Sequence, residues 1–117
     1  MIVPSQSVKI DVATKPLDFR IVHDGLAAVV QNELGLDPHF GIIVVFRANR
    51  VDRIKVLLWD GTDLVMIYKQ LEDRKFSWPA IDDGIMRLSK AQFEALFEGL
   101  DWRRVYGRRV QKPIAAE

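Results

Sequence analysis

The residues with the most chemistry to offer are cations and aromatic rings. Arg47, Arg50, Arg53 and Lys55 stand close together in mid-chain, and Lys69 follows. Arg103, Arg104, Arg108, Arg109 and Lys112 crowd the C-terminal stretch against Asp101 and Glu117. Clustered guanidinium and ammonium groups neutralise phosphates and release condensed counterions, so they suit a nucleic-acid backbone. They equally suit a solvated protein surface. Trp59, Trp78 and Trp102 lie near basic residues, and a ring beside a cation can stack a nucleobase. On these grounds Arg47, Arg50, Arg53, Lys55, Lys69, Arg103 and Arg104 are the candidates for phosphate contact, and Trp59 and Tyr68 for stacking. Large aromatics also serve cores and protein interfaces, and spacing does not separate those uses.

Catalytic patterns are missing. There is no GxxxxGK[ST] loop, no HExxH, no GxSxG and no Cys/His cluster. His23 and His39 lack a partner at metal-ligand spacing, and Ser5, Ser7, Ser77 and Ser89 lack a recognisable base. A Mg²⁺-dependent nuclease would need grouped carboxylates. The available ones, Asp60, Asp63, Asp82, Asp83, Glu94 and Glu98, read as turn residues or as an exposed helical pair. No catalytic residue, metal site or cofactor is expected.

The elements that must carry these groups follow from periodicity. Residues 8–13 alternate and predict a short N-terminal strand. Asp18 is placed to cap a helix that starts at Phe19, with Phe19, Val22, Leu26, Val29, Val30 and Leu34 on one face and Gly35 as the stop. Gly25 inside that helix costs about 1 kcal/mol relative to alanine, which fits either a close packing contact or simple tolerance. The run GIIVVF at 41–46 is apolar at consecutive positions and predicts a central strand buried on both faces. Residues 53–59 and 62–68 flank Asp60-Gly61, the dipeptide of a two-residue hairpin turn, with Trp59 opposite Thr62. One hairpin face then mixes Arg53, Lys55, Trp59 and Tyr68 with Leu57, Leu64 and Met66. The other, with Ile54, Val56, Leu58, Val65 and Ile67, is aliphatic and should face the helices. A four-residue loop would keep both faces. Residues 71–75 turn, Phe76-Ser77-Trp78-Pro79 is extended, and Asp82-Asp83-Gly84 is turn chemistry. Ser89 and Gln92 form a capping box, Leu88 staples onto Phe93, and Phe93, Leu96 and Phe97 make a stripe that ends at Gly99.

At 117 residues, with 49% hydrophobic and 28% charged residues, the chain is expected to be a single domain over 1–117. Residues 104–117 are expected to form a loose basic tail. The predicted fold is α+β: a small, mainly antiparallel sheet built from the N-terminal strand, the central strand and the hairpin, with two helices on one face. Its connections are too short for repeated crossovers. Without cysteine, a bilayer-length apolar run or a signal-peptide pattern, a cytoplasmic protein with no membrane association is expected.

Several segments, in order, resemble a known family. Asp18-Phe19-Arg20, Asp24-Gly25-Leu26 and Leu34-Gly35-Leu36-Asp37-Pro38 look like the opening of the TnpB-type accessory proteins of insertion sequence 66 elements. Val45-Phe46-Arg47 with Asp52-Arg53-Ile54-Lys55 resembles their central signature. Trp59-Asp60-Gly61, Tyr68-Lys69, Leu71-Glu72, Phe76, Trp78-Pro79, Leu88-Ser89, Gln92, Gly99 and Asp101-Trp102-Arg103 follow. The chain departs from the pattern at Ile21, where a basic residue is common. It departs again at Ala48-Asn49-Arg50-Val51, where a glycine and paired arginines are common, and this leaves one fewer cation in that loop. The resemblance implies an accessory factor of DNA transposition, encoded beside a separate transposase. DNA at the element ends, the transposase and other element-encoded proteins are the implied partners, with self-association open. A module that bridges transposase subunits without touching DNA is the alternative. The resemblance implies no set of active-site residues.

Overall fold

The computed structural model describes residues 8–39, 41–80 and 84–105. The Asp82-Asp83 turn and most of the basic tail, with Arg108, Arg109 and Lys112, lie outside the described residues. Strands β1 (Lys9–Ala13), β2 (Ile42–Arg47), β3 (Arg53–Trp59), β4 (Leu64–Gln70) and β5 (Ile85–Leu88) form one sheet in the order β4-β3-β2-β1-β5. All pairings are antiparallel except β1 with β2, which are joined through helix α1 (His23–Asn32). Helix α2 (Lys90–Phe97) and a short 3₁₀ turn (Trp102–Arg104) follow β5. The α+β class and the mainly antiparallel sheet are as expected.

The two helices do not share a face. Alternation sends Ile43, Val45, Ile54, Val56 and Leu58 to one side, where they pack with Phe93, Leu96 and Trp102 of the α2 region. Ile42, Val44, Phe46 and Leu57 point to the other side and pack with Leu26 and Val30 of α1. The physical reason lies in β2. A strand apolar at every position needs a cover on both sides, and one layer of helices leaves half of it in water. The face carrying Arg53 and Lys55 looks solvated as a list of residues, yet it is the floor under α1.

The hairpin loop also differs. Trp59 pairs with Leu64, so residues 60–63 form a four-residue connection in place of a two-residue turn. The Asp60 carboxylate accepts the N–H groups of Thr62 (2.9 Å) and Asp63 (2.8 Å), and that bonding stabilises the wider loop. The register moves by two, so each side chain keeps its face.

Helix α1 starts at His23 rather than Phe19, and Val22 precedes it without a side-chain cap. Asp18 is bonded instead to the backbone N–H and guanidinium of Arg20. The Phe19 and Ile21 carbonyls, which a longer helix would use internally, accept from Lys55 Nζ at 2.6 and 2.8 Å. The chain therefore runs irregularly through these residues and turns helical afterwards. A β-carbon at Gly25 would collide with the Ile21 side chain, so the glycine marks a close contact. At the other helix the expectation holds: Ser89 and Gln92 make the reciprocal capping box, and Leu88 and Phe93 are buried in one cluster. β5 has no counterpart in the sequence reading, because four residues carry too short a pattern.

Candidate nucleic-acid interface

The candidate cations fall into separate groups. Lys55 is 2% exposed. Its ammonium sits on the Phe19 and Ile21 carbonyls and under the Phe19 and Tyr68 rings, at 5.1 and 5.3 Å from their centroids. Burial holds its pKa below the ordinary lysine value. That ammonium ties the 18–22 segment to the sheet and is enclosed away from any phosphate. Lys69 points to the opposite side of the sheet. It donates to the Phe97 carbonyl at the end of α2 (2.6 Å) and lies 4.3 Å from the Phe97 ring centroid, where a cation complements the helix dipole. Arg47 also lies on the α2 side, with its guanidinium 5.4 Å from the Trp78 ring centroid and a bond to the Thr14 carbonyl.

Arg50 and Arg53 remain together. Their Nε atoms lie 3.4 and 3.7 Å from one oxygen of Asp52, so two cations share one carboxylate. Arg53 also donates to the Tyr68 hydroxyl at 2.8 Å. Tyr68 is 47% exposed and meets the Phe19 ring edge-on, with centroids 5.8 Å apart. These side chains, with Asp18 and Asn49, line an open cleft of about 330 Å³ beside the N-terminal approach to α1. Arg103 and Arg104 repeat the two-to-one arrangement on Asp101, at 2.9 and 3.7 Å. The Arg103 hydrogen bonds, with a smaller contribution from the Arg104 charge, hold the Asp101 carboxyl below its ordinary range.

Trp59 is not part of the cleft. It lies four positions along β3 from Lys55, about 14 Å along a strand, and the His39 ring packs against it edge-on at 5.0 Å. Of the two stacking candidates, Tyr68 alone stands beside cations. The structure adds Asp18, Phe19 and Asn49, which sequence reasoning had used as a cap, a helix stripe and a loop. The signal that could have found the first two is Asp18-Phe19-Arg20, itself one of the family-like segments.

A larger hollow of about 740 Å³ lies between α1 and the sheet, walled by Leu17, Val29, Leu34, Phe46 and Ile85. Lys15 and Glu33 are its charged lining residues and cancel, so it offers a phosphate nothing. Among the described residues, no three acidic, histidine or cysteine side chains gather as a metal ion would require. No helix among them is long and apolar enough to cross a membrane.

A family profile described as IS66 Orf2 like protein matches residues 8–107. The chain is 44% identical over 113 residues to the Sinorhizobium fredii protein "Uncharacterized protein y4jC", covering 97% of each. It is 35% identical over 103 residues to a second protein of that strain, "Uncharacterized protein y4hO", covering 88% of this chain and 90% of the relative. No solved structure matches significantly.

Proposed function

The chain belongs to the family of IS66 Orf2-like proteins, which places it among the accessory proteins of transposition, and from there we propose that it acts with a separate transposase and touches DNA through the Arg50–Arg53–Tyr68 cleft. The observation that carries this reading is the sharing of Asp52 by two guanidiniums next to an exposed ring. Asp18, which also lines the cleft, is already held by Arg20, and Asp52 alone cannot neutralise two arginines, so a net positive charge stays at the mouth of the cleft. The Arg50 side of this arrangement is 67% exposed, where an ion pair is weak and a phosphate can displace the carboxylate as a partner. Arg103 and Arg104 on Asp101 supply a second such point. Lys55, Lys69 and Arg47 then serve the fold, and Trp59 stands apart.

The test is a fluorescence-anisotropy titration on element-end DNA across a salt series. Binding should weaken as salt rises, and Arg50→Ala should lower the slope of log affinity against log salt by about one while leaving the fold intact. Absence of binding at low salt, or affinity indifferent to salt, would overturn the reading.

A protein-bridging role has its own support. The cations lie on both sides of the sheet, and the exposed ones have acidic partners, which dilutes any single basic surface. On that alternative the chain co-purifies with the transposase after nuclease treatment, and salt-dependent DNA affinity is absent.

A further inference from the structure

β4 ends the sheet, and among the described residues β3 is its only partner. Backbone bonds from Asp60 N–H to the Asp63 carbonyl and from Leu71 N–H to the Asp52 carbonyl bracket the β3–β4 ladder. Antiparallel alternation between those points directs Val65, Ile67 and Lys69 toward β3. Leu64, Met66, Tyr68 and Gln70 therefore turn their N–H and C=O groups outward. The usual protections of such an edge are missing: the seven residues LVMIYKQ include no proline, the register runs without a bulge, and the single charge is Lys69. That ammonium is folded inward onto the Phe97 carbonyl. Side chains on both sides of the strand are apolar and half-buried, with Leu64 and Met66 against the α1 cluster and Val65 and Ile67 against the α2 cluster.

We propose that this edge pairs antiparallel with the β4 edge of a second copy of the chain, continuing the sheet across a two-fold axis at Met66. Outward residues must meet outward residues, which restricts the registers. With Met66 on the axis, Leu64 faces the partner's Tyr68, Val65 faces the partner's Ile67, and Asp63 faces the partner's Lys69. Every apolar side chain then has an apolar neighbour, and each Asp63 stands across from the partner's Lys69, gaining a counter-charge once that ammonium leaves its own Phe97 carbonyl. Moving the axis to Ile67 would set Val65 against Lys69 and Leu64 against Gln70, which matches worse on both sides. The complement to this edge is thus written in the edge itself, as an isologous interface requires. Pairing would also place both Tyr68 rings on one side of the joined sheet, about 14 Å apart along the strands. The inference stands on backbone pairing and does not depend on DNA contact.

Light scattering of the full chain, combined with residue-resolved amide exchange, tests it. The expected mass at high concentration is twice 13.4 kDa. The Leu64, Met66 and Tyr68 amides should be protected there and should lose protection on dilution, while Val65 and Ile67 stay protected throughout. Met66→Pro removes an outward N–H that β3 does not use, so a folded monomer is expected. Should that variant unfold, Asp63→Lys sets like charges across the axis and should weaken the dimer roughly tenfold. A wild-type monomer at the highest soluble concentration overturns the proposal, as does a dimer whose Leu64, Met66 and Tyr68 amides exchange freely.

Discussion

On the α2 side of the sheet, Phe76, Trp78, Phe93, Leu96 and Trp102 form a continuous apolar layer over Ile43, Val45, Ile54 and Val56. On the α1 side, Leu26 and Val30 are the fully buried cover, Phe19, Ile21, Val29 and Leu34 pack around them only partly buried, and a charged tie adds to these: Lys55 gripping the Phe19 and Ile21 carbonyls. The first side is closed by area removed from water, which needs no particular direction. The second combines a thinner apolar layer with directed hydrogen bonds to an irregular segment, which leave gaps where side chains do not interlock. The cleft lies in one of those gaps. A face sealed by packing has little room for a ligand, whereas a face held by a few polar contacts can be firm and open at once.

Three changes would break or sharpen that contrast. Phe93→Ala removes a buried ring from the packed side, and urea unfolding should show a loss of about 3–5 kcal/mol. A loss below about 1 kcal/mol would mean the α2 layer is not the dominant cover. Lys55→Met keeps the aliphatic length but strips two carbonyls of their donor, so a smaller loss of about 2–4 kcal/mol is expected. It should come with faster amide exchange or proteolysis around 17–22, and unchanged order in that segment would remove the tie from the account. The smallest effect belongs to Asp18. Its carboxyl is lowered from 3.8 to about 2, chiefly by the Arg20 guanidinium. A depressed carboxylate contributes stability that is present above its unfolded value and lost as pH falls through the folded one. The difference between wild type and Asp18→Asn should therefore be level above pH 3.8 and fade toward pH 2. A difference that persists at the acid end would assign the effect to something other than charge.

Much of the fold is legible in local patterns because local forces decide those parts. The capping box at Ser89 needs only residues three apart, and the stop at Gly35 needs only a backbone free to take φ of +68°. The face assignment of the hairpin survives a wrong loop length because strand periodicity is two. The site was less legible. Arg50 and Arg53 are plain in the string, but Asp18 and Phe19 reach the same cleft from thirty residues away. Lys55 is spaced like its basic neighbours and is nonetheless enclosed.

The amino-acid order alone determined the first four strand segments, where α2 begins and which residues share a side of the hairpin. Propensity, periodicity and capping act over a few residues and require no knowledge of the remainder. Tertiary structure decided the parallel β1–β2 pairing, the short β5, the division of the helices between the two sides and the fate of each cation. Those outcomes depend on which apolar surfaces compete for cover and which carbonyls are left wanting a donor. Such competition exists only once distant segments of the chain stand side by side.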